Sequence, residues 1–296
     1  MTAVVVPVFN GAHVLPETVP AVLRLAHVDE WIWVDDGSTD DTQAVLRALT
    51  SAAVRARVVS LSENQGRGAA RNAGVASTDA TRLLFLDADV TPEPPFAELT
   101  LKALAQPGAV AAVGTFRPVV EDPTEPYAVY LLTARRGAHG AGGERVPWKT
   151  FLTAAVGVDR DAFDRAGGFD PAIPYGEDIE LAARLSLDHP DGLVASGAHV
   201  QIQDVDPLDG ALARISTFGR ALPAIVAKTP AVATMSGLAR LLRPSAARTV
   251  ARSSLLAVLA RAALPFLPGR GVALGVRYLL AHALARAIAD AQSRSR

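Results

Sequence analysis

Short, continuous apolar runs recur along the first part of the chain, at residues 3–8 (AVVVPV), 31–34 (WIWV), 56–61, 83–86 (LLFL) and 109–113. Runs of this length without polar alternation predict strands buried on both faces of a sheet. The stretches between them carry helical spacing, at residues 14–25, from 39 or 40 to about 49, 69–75 and 96–104. Pro16 suits a first helical turn, whereas Pro20 is awkward inside the same helix. Thr39 or Asp40 is expected to cap the second helix. Strand and helix in alternation predict a parallel sheet with right-handed crossovers, hence an α/β fold. The rhythm blurs after Gly114. Residues 117–147 mix Pro, Gly and charge and read as loop, either mobile beside a site or plain surface. The pattern resumes with a strand-like run at 151–158 and a short helix at 161–166 that Gly167-Gly168 ends. A further helix opens at Glu177 and runs to about Leu187.

The run at 83–86 stops at Asp87-Ala88-Asp89. Mg2+ and Mn2+ prefer carboxylate oxygen, and Mg2+ is commonly shared between one or two carboxylates and substrate phosphates. In open α/β sheets the ligand crevice lies outside the carboxyl ends of the strands. Asp35 and Asp36 follow the second strand, and Glu177 and Asp178 open a helix. Singly, each acid also fits a turn or the favourable end of a helix dipole. Loops after parallel strands share one edge, so Asp35, Asp36, Asp87, Asp89, Glu177 and Asp178 are expected to converge. That convergence is costly unless a metal or a substrate hydroxyl uses the charge.

Five motifs occur in series: VVVPVFN at 4–10, VDDGSTDDT at 34–42, NQGRGAARNAG at 64–74, LFLDADV at 84–90 and GGFD…YGEDIELAAR at 167–184. In this order and spacing the chain resembles the inverting family 2 glycosyltransferases of the GT-A fold. The resemblance covers residues 3–205 and implies a mostly parallel central sheet flanked by helices. It makes 1–205 the catalytic domain and leaves 206–296 as a helical C-terminal appendage. It implies a nucleotide-sugar pocket of Pro7, Phe9, Asn10, Asp36, Arg67, Gly68, Arg71 and Asp87. Pro7 and Phe9 would lie by the base, Asp36 would accept a hydrogen bond from it, and Arg67 or Arg71 would lie near the base or phosphates. It makes Asp89 the direct ligand of Mg2+ or Mn2+, with Asp87 facing the donor's ribose or sugar, and Asp178 of the Glu177-Asp178 pair the catalytic base. Relatives often carry a metal-binding His in the next strand. Here that position falls near Ile202 or Gln203, while His199 lies a little earlier, as a further candidate ligand.

Composition adds constraints. The chain has no cysteine, which excludes disulfides, thiolate metal sites and a cysteine nucleophile, and fits a reducing cytoplasm. The strand pattern from Ala3 is read as leaving no room for a leader peptide. The net charge of −1 conceals a basic tail: residues 237–296 hold ten Arg and one acid, Asp290. Within 253–286, short apolar runs alternate with Arg, as in amphipathic helices on an anionic membrane or helices packed with Arg facing water. The expected partners are therefore an NDP-sugar donor, a hydroxyl acceptor that would be lipid-linked if the tail meets a membrane, and no nucleic acid. No run of 18 uncharged apolar residues predicts a spanning helix. Gly66-x-Gly68-x-x-Arg71 lacks the third Gly of a dinucleotide fingerprint, and no P-loop is present. The membrane spans and Gln-x-x-Arg-Trp motif of a processive polysaccharide synthase are absent too. A GT-A domain that binds without turnover is the alternative reading, which turnover of a labelled donor would separate.

Overall fold

The computed structural model describes residues 1–294 apart from 121, 135, 203–206, 235–240 and 243–245. The chain divides into two compact units, Met1–Arg117 with Arg136–Asp204, and Pro118–Arg135 with Val205–Arg296. Segment Pro118–Arg135, read from sequence as loop, thus groups with the tail.

The first unit is built on an eight-stranded sheet of order β3-β2-β1-β4-β7-β6-β8-β5. Its parallel half comprises β1 (Thr2–Val8), β2 (Glu30–Asp35), β3 (Ala56–Ser60) and β4 (Arg82–Leu86). The rest is β5 (Val90–Pro92), β6 (Ala111–Pro118), β7 (Ala155–Asp159) and β8 (Leu193–Ile202). Here β4 pairs β7, β6 pairs β7 and β5 pairs β8, all antiparallel. The parallel half is thus only part of the sheet: the run at 109–113, expected to extend it, enters β6 and pairs antiparallel with β7, because β7 inserts between β4 and β6. Successive side chains of a strand face opposite ways. Val5, Leu83 and Phe85 therefore enter one core with Phe163, Phe169 and Leu181, while Val4, Val6, Leu84 and Leu86 enter another with Leu15, Trp33 and Phe96. Two covered faces explain why these strands are apolar without alternation.

Seven helices accompany the strands up to residue 188 among the described residues: α1 (Leu15–Leu23), α2 (Thr42–Thr50), α3 (Arg67–Ala76), α4 (Phe96–Leu104), α5 (Pro126–Thr133), α6 (Arg160–Arg165) and α7 (Glu177–Asp188). Helix α1 runs through Pro20, with Leu15, Thr18, Val19 and Val22 buried beneath it. Packing there outweighs the lost hydrogen bond. Helix α2 starts later than expected. Asp41 holds the cap position without a side-chain bond, and Asp40 instead accepts from the Thr42 N–H at 3.0 Å.

In the second unit, α5 joins α8 (Leu208–Lys228), α9 (Ala246–Ala251), α10 (Ser254–Ala263) and α11 (Gly269–Arg294). Its core contains Tyr127 and Leu131 of α5, Leu208 and Ala211 of α8, Ala257 of α10, Leu264, and Val272, Val276 and Leu279 of α11. Glu125 caps α5 at the Ala128 N–H and also accepts from the Leu208 N–H, both within 2.8 Å. Helix α11 is long and apolar enough to cross a bilayer by length and composition, unlike the sequence expectation; a third of its most apolar window is buried against its own unit.

Candidate active site

The loops after β1 and β2 are tied together by short polar side chains. Asn10 adopts a left-handed backbone conformation, φ 51°. Its N–H donates to Ser38 Oγ at 2.9 Å, and its Oδ1 accepts from the Thr39 N–H at 2.8 Å. The Gly11 N–H donates to Thr42 Oγ1 at 2.8 Å, and Asp35 accepts from the Ser38 N–H within its own turn. Pro7 is partly buried, and Phe9 projects into solvent from this rim, 48% exposed.

Asp36 is buried, and both its oxygens are engaged: Oδ1 accepts from the Gln65 N–H at 2.8 Å and Oδ2 from the Gly66 N–H at 2.9 Å. Burial raises its pKa, opposed by these two bonds and supported by the nearby charge of Asp35. Its evident work is to fix the loop that leads into α3. A base could reach only the lone pairs those bonds leave.

At the other end of that loop, Arg71 of α3 is fully buried. Its Nη1 donates to Glu177 Oε1 at 2.7 Å and its Nη2 to Asp87 Oδ1 at 2.6 Å. The guanidinium also lies 5.4 Å from the centre of the Phe169 ring. One arginine thereby joins the carboxyl end of β4 to the start of α7. Arg67, a turn earlier and outward, sits 5.0 Å over the Tyr175 ring and 3.8 Å from Glu177. Burial would lower its pKa, but the charges of Asp87, Glu177, Tyr175 and Asp178 outweigh that and raise it. Gly68 is buried with its α-carbon turned towards Phe169 and Glu177, so its direct role is close packing of α3 rather than lining a surface. Asn72 clasps the loop before α7, donating to the Phe169 carbonyl at 2.7 Å and accepting from the Phe169 N–H at 3.0 Å.

Glu177 and Asp178 part company at the first turn of α7. Glu177 is buried against Arg71, whereas Asp178 keeps part of its surface in solvent and accepts from the Ile179 N–H at 2.8 Å. Burial, reinforced by the charge of Glu177 and opposed by Arg71, pushes Asp178 up to about 7. An ordinary carboxylate near 4 is therefore not what the site holds. A group with a pKa near the working pH is suited to proton transfer.

Asp89 is partly buried just ahead of β5. The expected ligand His199 is not brought to it. In the β5–β8 ladder Val90 lies opposite Ile202 and Pro92 opposite Val200, and the Glu93 N–H donates to the His199 carbonyl. Ile202, opposite Val90 next to Asp89, is three residues along β8 from His199, about 10 Å at the usual strand rise. Gln203 lies outside the described residues. Among the described residues no three His, Asp or Glu side chains are grouped to hold an ion. The donor set that remains, Asp87 and Asp89 with hard oxygens, fits the Mg2+ or Mn2+ arrangement in which substrate phosphates complete the coordination.

Sequence reasoning did not find the bridging role of Arg71, nor the places of Tyr175, Phe169 and Asn72. Asn72 lies inside the NQGRGAARNAG motif, so a signal was present, but its partner Phe169 is 97 residues away.

Comparison with known proteins agrees with this architecture. The family model of glycosyl transferase family 2 matches residues 3–164. An undecaprenyl-phosphate 4-deoxy-4-formamido-L-arabinose transferase of Pseudomonas savastanoi pv. phaseolicola is 37% identical over 120 residues, 39% of this chain and 35% of its own. The chain spans 25–43% of the length of the curated relatives it matches first. A Pyrobaculum calidifontis mannosyltransferase solved with GDP-Man and Mn2+ superposes with a TM-score of 0.65 at 20% identity, covering 100% of this chain and 88% of that one. S. aureus TarS 1–349 in complex with UDP-GlcNAc gives 0.58 at 13%, covering 99% and 92%. These two likenesses bear on the GT-A fold.

Proposed function

The chain belongs to glycosyl transferase family 2, and from that premise we propose that it moves a sugar from an NDP-sugar, UDP-linked by preference, to a hydroxyl acceptor with inversion. The observation that carries this reading is the place of Asp178, a partly buried residue at the first turn of α7 beside the Arg71-bridged acids Glu177 and Asp87, where burial raises its pKa to about 7. Ionised, Asp178 takes the proton of the acceptor hydroxyl as that oxygen bonds to the anomeric carbon. The bond from that carbon to the diphosphate breaks, and its electron pair leaves with the nucleotide through an oxocarbenium-like state. Arg71 holds Asp87 and Glu177 in place, and Glu177 supports Asp178 without itself facing the acceptor. The exposed Phe9 and the adjacent Pro7 offer an apolar surface to the base, and Arg67 offers a cation to the diphosphate. A Mg2+ or Mn2+ ion held by Asp89 and Asp87 would act as a Lewis acid, offsetting charge on the leaving diphosphate.

The UDP preference draws support from the UDP-GlcNAc bound in a structure of this fold, although another holds GDP-Man. A relative named for undecaprenyl phosphate supports a lipid-linked acceptor. A cytoplasmic setting, supported by the absence of cysteine, belongs to the same proposal.

The test is turnover of labelled UDP-sugars and GDP-mannose with Mn2+ or with EDTA, using wild type, Asp178→Asn and Asp89→Ala. Asp178→Asn should bind donor as wild type does and turn over about 10²–10⁴-fold more slowly. Asp89→Ala and EDTA should each remove metal-dependent donor binding. Wild-type turnover by Asp178→Asn would remove the base from the mechanism, and undiminished activity in EDTA would remove the metal. Donor binding without any turnover would leave a binding module.

A further inference from the structure

Helix α10 is built the wrong way round for water. Its inward face presents small residues, Ala257 buried and Ala260 partly buried, and only beyond the helix does a large one, Leu264, turn inward. Its large aliphatic residues point out. Leu255 is 70% exposed, Leu259 55%, and Leu256 and Val258 are exposed beside them. At 100° per residue, Leu255, Val258, Leu259 and Ala262 form one continuous stripe opposite Ala257 and Ala260. A surface helix of a water-soluble domain normally turns its large apolar residues inward. The stripe continues past the helix through Phe266, 87% exposed, and Leu267. Most of the large apolar side chains exposed among the described residues lie between Val250 and Leu274.

The stretch that carries this patch has charge of one sign. Residues 250–286 contain five Arg and no acid. Arg252, Arg270 and Arg277 are exposed, and Arg261, on one flank of α10, is paired with Asp209 at 2.7 Å. Large apolar side chains outward with arginines alongside are the chemistry of a helix lying in the headgroup region of an anionic bilayer. A second copy of the chain would bring a second set of arginines against these, which charge complementarity disfavours. We propose that α10 and the turn that follows it, Leu255 to Leu267, form an interfacial anchor that inserts into the surface of an anionic lipid bilayer while α11 stays packed on its own unit. Lipid binding of this kind needs neither donor nor Asp178, so it stands or falls separately from the transfer reaction.

The experiment is flotation of the full chain with vesicles of phosphatidylcholine alone or mixed with phosphatidylglycerol, at low and high salt. The wild type is compared with Leu255→Ser/Leu259→Ser/Phe266→Ser, whose positions are exposed and so compatible with an unchanged circular dichroism spectrum. The wild type should float with the mixed vesicles, less so at high salt, and the triple variant should lose at least about tenfold in partitioning. Absence of flotation with mixed vesicles at low salt overturns the proposal. Equal flotation of the triple variant does so too, by placing the contact elsewhere. Retention of membrane-bound protein after alkaline carbonate would point to a spanning α11 instead. A wild-type dimer that the triple variant dissolves, without vesicle binding by either, would assign the patch to a second copy of the chain.

Discussion

Replacing Arg71 by Met removes one cation and leaves two acids without it. The cost is set mainly by Glu177, whose side chain is 3% exposed, because a carboxylate left buried and unpaired has no water to fall back on. Asp87, 26% exposed, is partly rescued by solvent and adds less. Breaking a buried pair by removing one partner costs about 3–5 kcal/mol, and Met keeps most of the apolar stem's volume against Phe169. For a unit of this size that corresponds to a fall in Tm of about 6–20 °C. All three tryptophans, Trp31, Trp33 and Trp148, lie in the unit that holds Arg71. Tryptophan fluorescence in urea therefore reports this unit directly. The double variant Arg71→Met/Glu177→Gln removes the stranded charge and should recover at least about 1–2 kcal/mol relative to Arg71→Met alone. An Arg71→Met loss below about 1 kcal/mol, or a double variant whose loss is the sum of its parts, would refute the view that this arginine is held by Glu177.

Two other outcomes are open to measurement. In the proposed mechanism Asp178 works in its ionised form, so kcat/KM should fall below an acid limb near pH 7, not near pH 4, and Asp178→Asn should abolish that limb; a flat profile from pH 5 to 8 would contradict the raised pKa. Because the folded pKa lies above that of an ordinary aspartate, about 4, the same group contributes stability that is present below about pH 4 and lost as pH rises through 7, a dependence that urea titrations of Asp178→Asn should lack. Gly37 sits at φ 71° with an added Cβ only 2.4 Å from the Glu63 backbone, so Gly37→Ala should destabilise the first unit by about 1–3 kcal/mol and weaken donor binding, as read by urea unfolding and by donor thermal shift; unchanged values would show that the loop yields freely.

Much of the first unit was legible because its local signals agree. The apolar runs at 3–8, 31–34 and 83–86 became β1, β2 and β4, since strands covered on both faces need continuous apolar sequence. The acids after them were legible as strand-end residues for the same reason, and the motif series pointed to the family. What sequence did not carry was pairing across distance. Strand β5 is three residues long and exists only because β8 supplies its ladder. The same register separates His199 from Asp89, which the family resemblance had offered together as candidate ligands. Helix α5 hides in a Pro-rich stretch because Pro126 is placed at its first turn, where Glu125 caps it and a neighbouring element covers it. Arg71 meets Glu177 across 106 residues, and only that meeting makes one member of the Glu-Asp pair a buried counter-ion, while burial of the other, Asp178, raises its pKa to about 7. In the tail, sequence showed Arg alternating with apolar runs, a pattern equally suited to a packed helix or a membrane surface. Which side of α10 faced the protein was decided by the fit of small alanines against α11, and that choice turned its leucines outward.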